Sequence, residues 1–303
     1  MHVLTFLLQP AIVALAALFL SVVWMLMDDK DRTRPLLVFA LTINVFFGFF
    51  LNMLMGKEGG LLPFKFDRVL VAMDQSLGLT AASIAPALQG FWRIPLIVVY
   101  QLMVPMMICW FLVTRRSLPR GSVVLAYVAE LVAGPVMYTI LPACGPVYLF
   151  HAEWLRPPHV EPTLVKIAGL PNAFPSLHVA TALVFVLMAP GKLWRAVALL
   201  FFAGTFFATI ATGEHYVIDL VAGLAFGCFA ASVGYRKYKR AVLYLALVLA
   251  WSLAVRSGYA VFIAEPLLLR ILAGLTAAVA IAAVIWEWRI PNGSRDSATV
   301  QAS

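Results

Sequence analysis

The sequence predicts an all-α, polytopic bundle of about nine membrane-spanning helices. Two observations carry this expectation. Hydrophobic residues make up 63% of the 303 positions and charged residues only 12%, against about 45–50% and about 25% in a soluble domain. The apolar runs also reach the roughly 20 residues that a helix needs to cross a bilayer, and they lack the alternation of barrel strands. Backbone groups in hydrocarbon must find their partners inside the segment, so such runs are helices.

The first span is Leu4 to Met27, preceded by His2 and no basic residue, so it reads as a span rather than a cleaved signal. The second runs from about Pro35 to Met55. Gly56 to Arg93 is less apolar and suits an interfacial amphipathic helix. Asp67 and Asp74 lie seven residues apart there and share a helix face, expected to meet water. The third span is Ile94 to Val113. The fourth, Val123 to Leu141, contains Glu130. A lone carboxylate inside a span pairs within the bundle or lines a cavity, and pairing is the favoured reading.

A loop rich in Pro and Gly follows, from Pro142 to Phe174. A loop this long is usually functional. The remaining spans are Ser176 to Ala189, Ala196 to Thr212, His215 to Gly234, Ala241 to Val255 and Pro266 to Trp286, with a polar tail from 291 that reads as disordered. Gly223 and Gly227 form a GxxxG on the seventh span, expected to pack inside the bundle rather than to mark a dimer face. Cys109 and Cys228 fall in spans and Cys144 in the long loop, with no CxxC pair, so no disulfide or thiolate metal site is expected.

The net charge is +8, and the basic residues sit mostly in short loops. That placement points to topology and anionic lipid headgroups, not to nucleic acid. With the loop Asp28 to Arg34 in the cytoplasm, fourteen of the 22 basic residues fall on the cytoplasmic side. His178 and His215 then both lie on the opposite face, together with the long loop.

Those two histidines hold the chemistry. PNAFPSLHVATALVF, from Pro171 to Phe185, carries His178. ATGEHYVIDLVAG, from Ala211 to Gly223, carries His215 and, four residues on, Asp219. At that spacing His215 and Asp219 share a helix face. A carboxylate bonded to one imidazole nitrogen fixes the tautomer and leaves the other nitrogen free as a nucleophile. Ser176 suits the N-cap of the helix bearing His178, and free N–H groups at that helix start suit phosphate. His178 is placed to protonate a leaving oxygen. The set reads as a phosphoryl-transfer site.

The segments PSLH and HYVID resemble the second and third motifs, PSGH and SRxxxxxHxxxD, of the type 2 phosphatidic acid phosphatase superfamily. The resemblance covers roughly Val123 to Gly234. It implies a six-helix catalytic core, over about 35–234 of a single transmembrane domain 1–303, with two added spans over 241–288 and the tail 291–303. It makes His215 the nucleophile that becomes phosphohistidine, Asp219 its orienter and His178 the acid. It implies no cofactor and no metal.

The chain departs from the pattern at three places. Ala208 and Thr209 stand where the third motif has Ser-Arg, Leu177 replaces the glycine of PSGH, and Arg156-Pro157 gives only the end of the first motif, KxxxxxxRP. FPSLH with HYxxD is more similar to the branch containing inositol phosphorylceramide synthases and their bacterial relatives. That implies a lipid phosphotransferase, with a lipid phosphate phosphatase as the alternative. The donor would be a phospholipid or polyprenyl phosphate, and the acceptor a lipid or sugar hydroxyl, or water. The expected location is a bacterial inner membrane with the site facing the periplasm. Ser176, Arg156, Lys166 and Arg93 are the candidate phosphate binders, followed by Arg68 and Arg256. An arginine is the better surrogate because it binds phosphate bidentately. A zinc cluster of His151, Glu153, His159 and Glu161 matches no ligand spacing. An anionic-lipid transporter and a structural scaffold are the competing readings from other classes; no internal repeat supports the first.

Overall fold

The computed structural model describes residues 62–289 apart from positions 116 and 120. The spans expected at Leu4–Met27 and about 35–55, and the tail, lie outside the described residues. The rest is a helical membrane bundle, as the composition requires. Five helices are long and apolar enough to cross: α5 (Ser122–Ile140), α8 (Gly191–Ala211), α9 (Val217–Gly234), α10 (Tyr238–Ala264) and α11 (Pro266–Arg289). Taken together, α3 (Arg93–Gln101) and α4 (Met103–Thr114) are also long and apolar enough to cross, with a bend of 56° where they meet. Pro105 explains the break, since its ring displaces the Gln101 carbonyl and it offers no N–H.

Helix α9 is the centre. Its apolar window is 83% buried, against 22–28% for α8, α10 and α11. It packs on α5, α10, α11 and α7 (Leu177–Leu187). Gly223 and Gly227 make the α7 contact: an added Cβ would stand 2.7 Å from the Ser176 carbonyl oxygen and 2.7 Å from that of Ala180. The GxxxG therefore packs inside the bundle, as expected.

Helix α7 has only 11 residues, about 16 Å of rise, roughly half the hydrocarbon thickness. Its far end meets the end of α9, where Tyr235 donates to the Leu187 carbonyl. Its start is therefore recessed, and the chain before it dips into the bundle to reach Ser176. The Ser176 N–H donates to the Asp219 carbonyl at 3.1 Å.

The stretch expected to lie at the interface folds into α1 (Asp67–Leu77) and α2 (Ala81–Leu88), which meet at 79°. Both ends stay at the histidine end of the bundle: Phe66 N–H donates to Pro142, and Gln89 Nε2 donates to Ala211. Gly78, at φ 81°, closes α1 in the left-handed conformation that glycine tolerates. The aspartates do share a face, but that face meets protein. Asp67 is 0% and Asp74 1% exposed, which corrects the expectation of solvated charges.

The long loop is structured. It contains α6 (Pro146–Phe150) and a two-residue strand β2 (Val165–Lys166), antiparallel to β1 (Phe64–Lys65) with Phe64 opposite Lys166. Lys65 is buried and donates to the carbonyls of Ile167 and Gly169, holding the loop down from below.

Candidate active site

The turn between α8 and α9 carries His215, and the start of α7 carries Ser176 and His178. Ser176 caps α7, its Oγ accepting from Val179 N–H at 3.4 Å. The N–H groups of Leu177 and His178, at the first turn, precede any intrahelical acceptor. The recessed start of α7 thus places two donors and two histidines at one spot.

His215 is held at three points. Nδ1 lies 3.1 Å from the Ala173 carbonyl oxygen and 3.3 Å from Asp219 Oδ2. A carbonyl oxygen and a carboxylate only accept, so Nδ1 carries the proton. In the neutral ring the lone pair is then on Nε2, which points to Ser176 Oγ at 3.3 Å. Asp219 Oδ2 also accepts from Tyr216 N–H at 2.9 Å, so the carboxylate is fixed by its own helix start. His178 stands 5.9 Å from His215, centroid to centroid, at 68°, and stacks on Tyr100 at 4.1 Å.

Burial pushes the His215 imidazolium down. The Asp219 carboxylate and its hydrogen bond, Glu214 and the Ala173 carbonyl outweigh burial, and the ring titrates above the ordinary 6.5. Burial raises the Glu214 carboxyl, which accepts from Tyr148 at 3.4 Å beside the site.

Two buried aspartates that spacing alone left on the surface brace this turn. Asp74 accepts from Val217 and Ile218 N–H at 2.8 and 3.0 Å, so α9 is capped by a carboxylate from another helix. Asp67 accepts from Cys144 and Gly145 N–H and from the Tyr216 hydroxyl at 2.8 Å. Gly145, at φ 113°, presses on the same turn: a Cβ there would clash with the Glu214 carbonyl oxygen. Trp154 covers Gly213 from the loop side. The seven-residue spacing was the signal for this pair; its inward direction was not readable from it.

A cavity of about 320 Å³ opens beside His178, lined by Tyr100, Glu130 and Thr181 among mostly apolar side chains. Leu177, in place of the glycine of PSGH, also lines it and rests on Gly134. Glu130 pairs as expected, with Thr181 Oγ1 donating to Oε2 at 2.8 Å, and it lines the cavity as well.

The candidate cations are dispersed. Arg156, Lys166 and Arg93 are exposed, and none of them lines the cavity. Arg256 donates to the Ile140 carbonyl at the end of α5. Arg68 is half-buried on α1. Thr209, at the position of the motif arginine, is buried and donates to Phe206 within α8. Among the described residues no group of three or more His, Cys, Asp or Glu side chains is arranged to hold a metal ion.

The sequence profile of the PAP2 superfamily matches residues 68–233, more than half of the chain. The chain belongs to the PAP2 superfamily. No curated protein and no solved structure matches it. The matched region begins within α1 and ends within α9, so the bracing aspartate Asp74, both histidines and Asp219 all fall inside the PAP2 region. PAP2 membership means a lipid phosphatase or phosphotransferase, and the spans make this one an integral membrane protein. Helices α10 and α11 lie outside the matched region, yet α10 and α11 both pack on α9 and α1.

Proposed function

We propose that this PAP2 protein is a lipid phosphotransferase that carries the phospho-group on His215. The observation that supports this best is the tautomer lock. Nδ1 is bracketed by Ala173 and Asp219, so the neutral ring offers Nε2 to the space shared with Ser176 and His178. In the first step Nε2 attacks phosphorus. The P–N bond forms, the bond to the leaving oxygen breaks, and His178 gives that oxygen its proton. In the second step an acceptor hydroxyl gives its proton to His178 and attacks phosphorus, and the P–N bond breaks. Asp219 orients the ring and balances its charge. The N–H groups at the start of α7 and Ser176 take phosphate oxygens, with the exposed Arg156, Lys166 and Arg93 as the candidate cations.

Transfer is preferred over hydrolysis because His178, beside His215, opens onto a mostly apolar cavity rather than a polar one. The deciding experiment incubates purified protein in nanodiscs with a headgroup-labelled phospholipid, with and without a long-chain alcohol. A new phospho-headgroup lipid, with little free phosphate, is expected. Phosphate release that the alcohol does not suppress would make it a phosphatase. We place the site on the periplasmic face of a bacterial inner membrane, which the distribution of basic residues favours.

The pH profile adds a test. A protonated His215 has no lone pair, and its pKa is raised above 6.5, so kcat/KM should climb with pH along a limb whose midpoint lies above 6.5. Asp219→Asn removes the neighbouring charge. It should move that limb to lower pH while kcat falls about a hundredfold, less than in a triad with one orienter, because Ala173 still holds Nδ1–H. A limb that stays in place in Asp219→Asn would belong to another group.

A further inference from the structure

The two histidines are held by unlike means. His215 is gripped at both ring nitrogens, by Ala173, Asp219 and Ser176. Among the described residues, none hydrogen-bonds to a ring nitrogen of His178. The last torsion of a histidine side chain is broad, so its own rotamer does not fix the plane of the ring. What bears on that plane is Tyr100, whose ring lies flat on the imidazole at 4.1 Å and 21°. His215 meets the same imidazole only edge to face, at 68°. A general acid works from a ring aimed at the oxygen it protonates, and a small misplacement costs much of the rate.

Tyr100 has a firm seat of its own. It is half-buried in the last turn of α3 and packs on Leu96, Ala208 and Ala211. Ala208 is one of the departures from the family motif, which has serine there. The neighbouring Val99 rests on Gly204 of α8, where an added Cβ would stand 3.2 Å from Val99 Cγ1. Helix α3 is thus seated on α8, and α8 leads directly into the turn that carries His215. Through Tyr100 the ring of His178 is referenced to the same frame as the nucleophile, by a route that does not pass through α7.

We infer that Tyr100 is a positioning residue: the face of its ring holds the His178 imidazole in the plane from which a ring nitrogen hands its proton to the leaving oxygen. The inference rests on the reading of His178 as the acid. Tyr100 supplies a face rather than a hydroxyl, and it takes no part in bond making.

The test measures the first turnover of the full chain in nanodiscs with two substrates. One is a headgroup-labelled phospholipid, whose leaving oxygen needs a proton. The other is para-nitrophenyl phosphate, whose leaving group needs none. Tyr100→Leu should slow the first turnover of the phospholipid about a hundredfold, the lower end of what a positioned acid supplies, and leave the nitrophenol burst within about threefold of the parent. Tyr100→Phe keeps the ring face and should restore the phospholipid rate to within about threefold of the parent. Equal losses on both substrates, or no loss on either, would overturn the inference. So would a Tyr100→Phe as deficient as Tyr100→Leu, because the hydroxyl would then carry the effect. Should Tyr100→Leu not fold, Tyr100→Met fills the gap with a flexible chain and no ring, and it must show the same split between substrates. In a His178→Ala background, Tyr100→Leu should cost nothing further with the phospholipid, since a residue that acts through another is not additive with it; a second hundredfold loss there overturns the proposal. Full phospholipid activity in His178→Ala sinks the acid and Tyr100 together, whereas loss in His178→Ala with none in Tyr100→Leu sinks Tyr100 alone.

Discussion

Replacing His215 by alanine is expected to lower turnover at least a thousandfold and to abolish a covalent phosphoryl label. In the parent, a brief incubation with phosphate-labelled substrate should leave a label on the protein that is stable in alkali and lost in acid, the behaviour of a phosphoramidate. His178→Ala sharpens the test. With para-nitrophenyl phosphate the leaving group needs no proton, so the first step should proceed without His178, and the second, which needs a base, should stall. Label should accumulate in His178→Ala and be absent in His215→Ala. A label that persists in His215→Ala would transfer the nucleophile's role elsewhere. Thermal unfolding separates loss of fold from loss of the nucleophile: the alanine removes the contacts of Nδ1 and Nε2 with Ala173, Asp219 and Ser176, at about 1–3 kcal/mol for each buried group left without a partner.

Asp67→Ala should be the most destabilising single change in the bracing network. The Asp67 carboxylate receives Cys144 N–H, Gly145 N–H and the Tyr216 hydroxyl, all buried. Without it three donors lose their acceptor at once, at about 1–3 kcal/mol each, or about 3–9 kcal/mol in all. Asp67→Asn keeps one oxygen and should lose about half as much. A carboxylate on a solvated face would give a change within about 0.5 kcal/mol, so unfolding in mixed micelles separates the two situations. Activity should fall with stability, because Gly145 presses on the Glu214 carbonyl next to His215.

That pair shows where reading the sequence succeeds and where it stops. The spacing of Asp67 and Asp74 put them on one face, and the hydropathy put α5, α8, α9 and α11 within a few residues of their observed ends. Local patterns register what a helix does with its own neighbours. They carry no sign for which side faces protein, because a buried aspartate and an exposed one have the same periodicity. Long-range partners settle it: the N–H groups that Asp74 satisfies are more than 140 residues away. His178, His215 and Asp219 were legible because each sits in a short motif with a capping or i, i+4 relation. The stacking of Tyr100 on His178 and the grip of Ala173 on His215 were not. One is a contact between distant helices, and the other is a backbone oxygen that every residue type possesses. The cations show a different limit. Arg156, Lys166 and Arg93 stood out by charge, which carries no information on where a side chain ends up; all three are exposed and none lines the cavity.

The glycine contact between α7 and α9 divides the site into a rigid side and an adaptable one. With the Ser176 and Ala180 carbonyls pressed on Gly223 and Gly227, the helix that bears His178 and the helix that follows His215 meet backbone to backbone, with no layer of side chains to be repacked. The gap between the rings is therefore a fixed dimension of the scaffold. The opposite wall, where α4 and α5 contribute Met107 and Leu131, is made of flexible side chains that can change one at a time. Lineages of this bundle can alter what they accept by substitutions on that wall and leave the spacing of the reacting groups untouched.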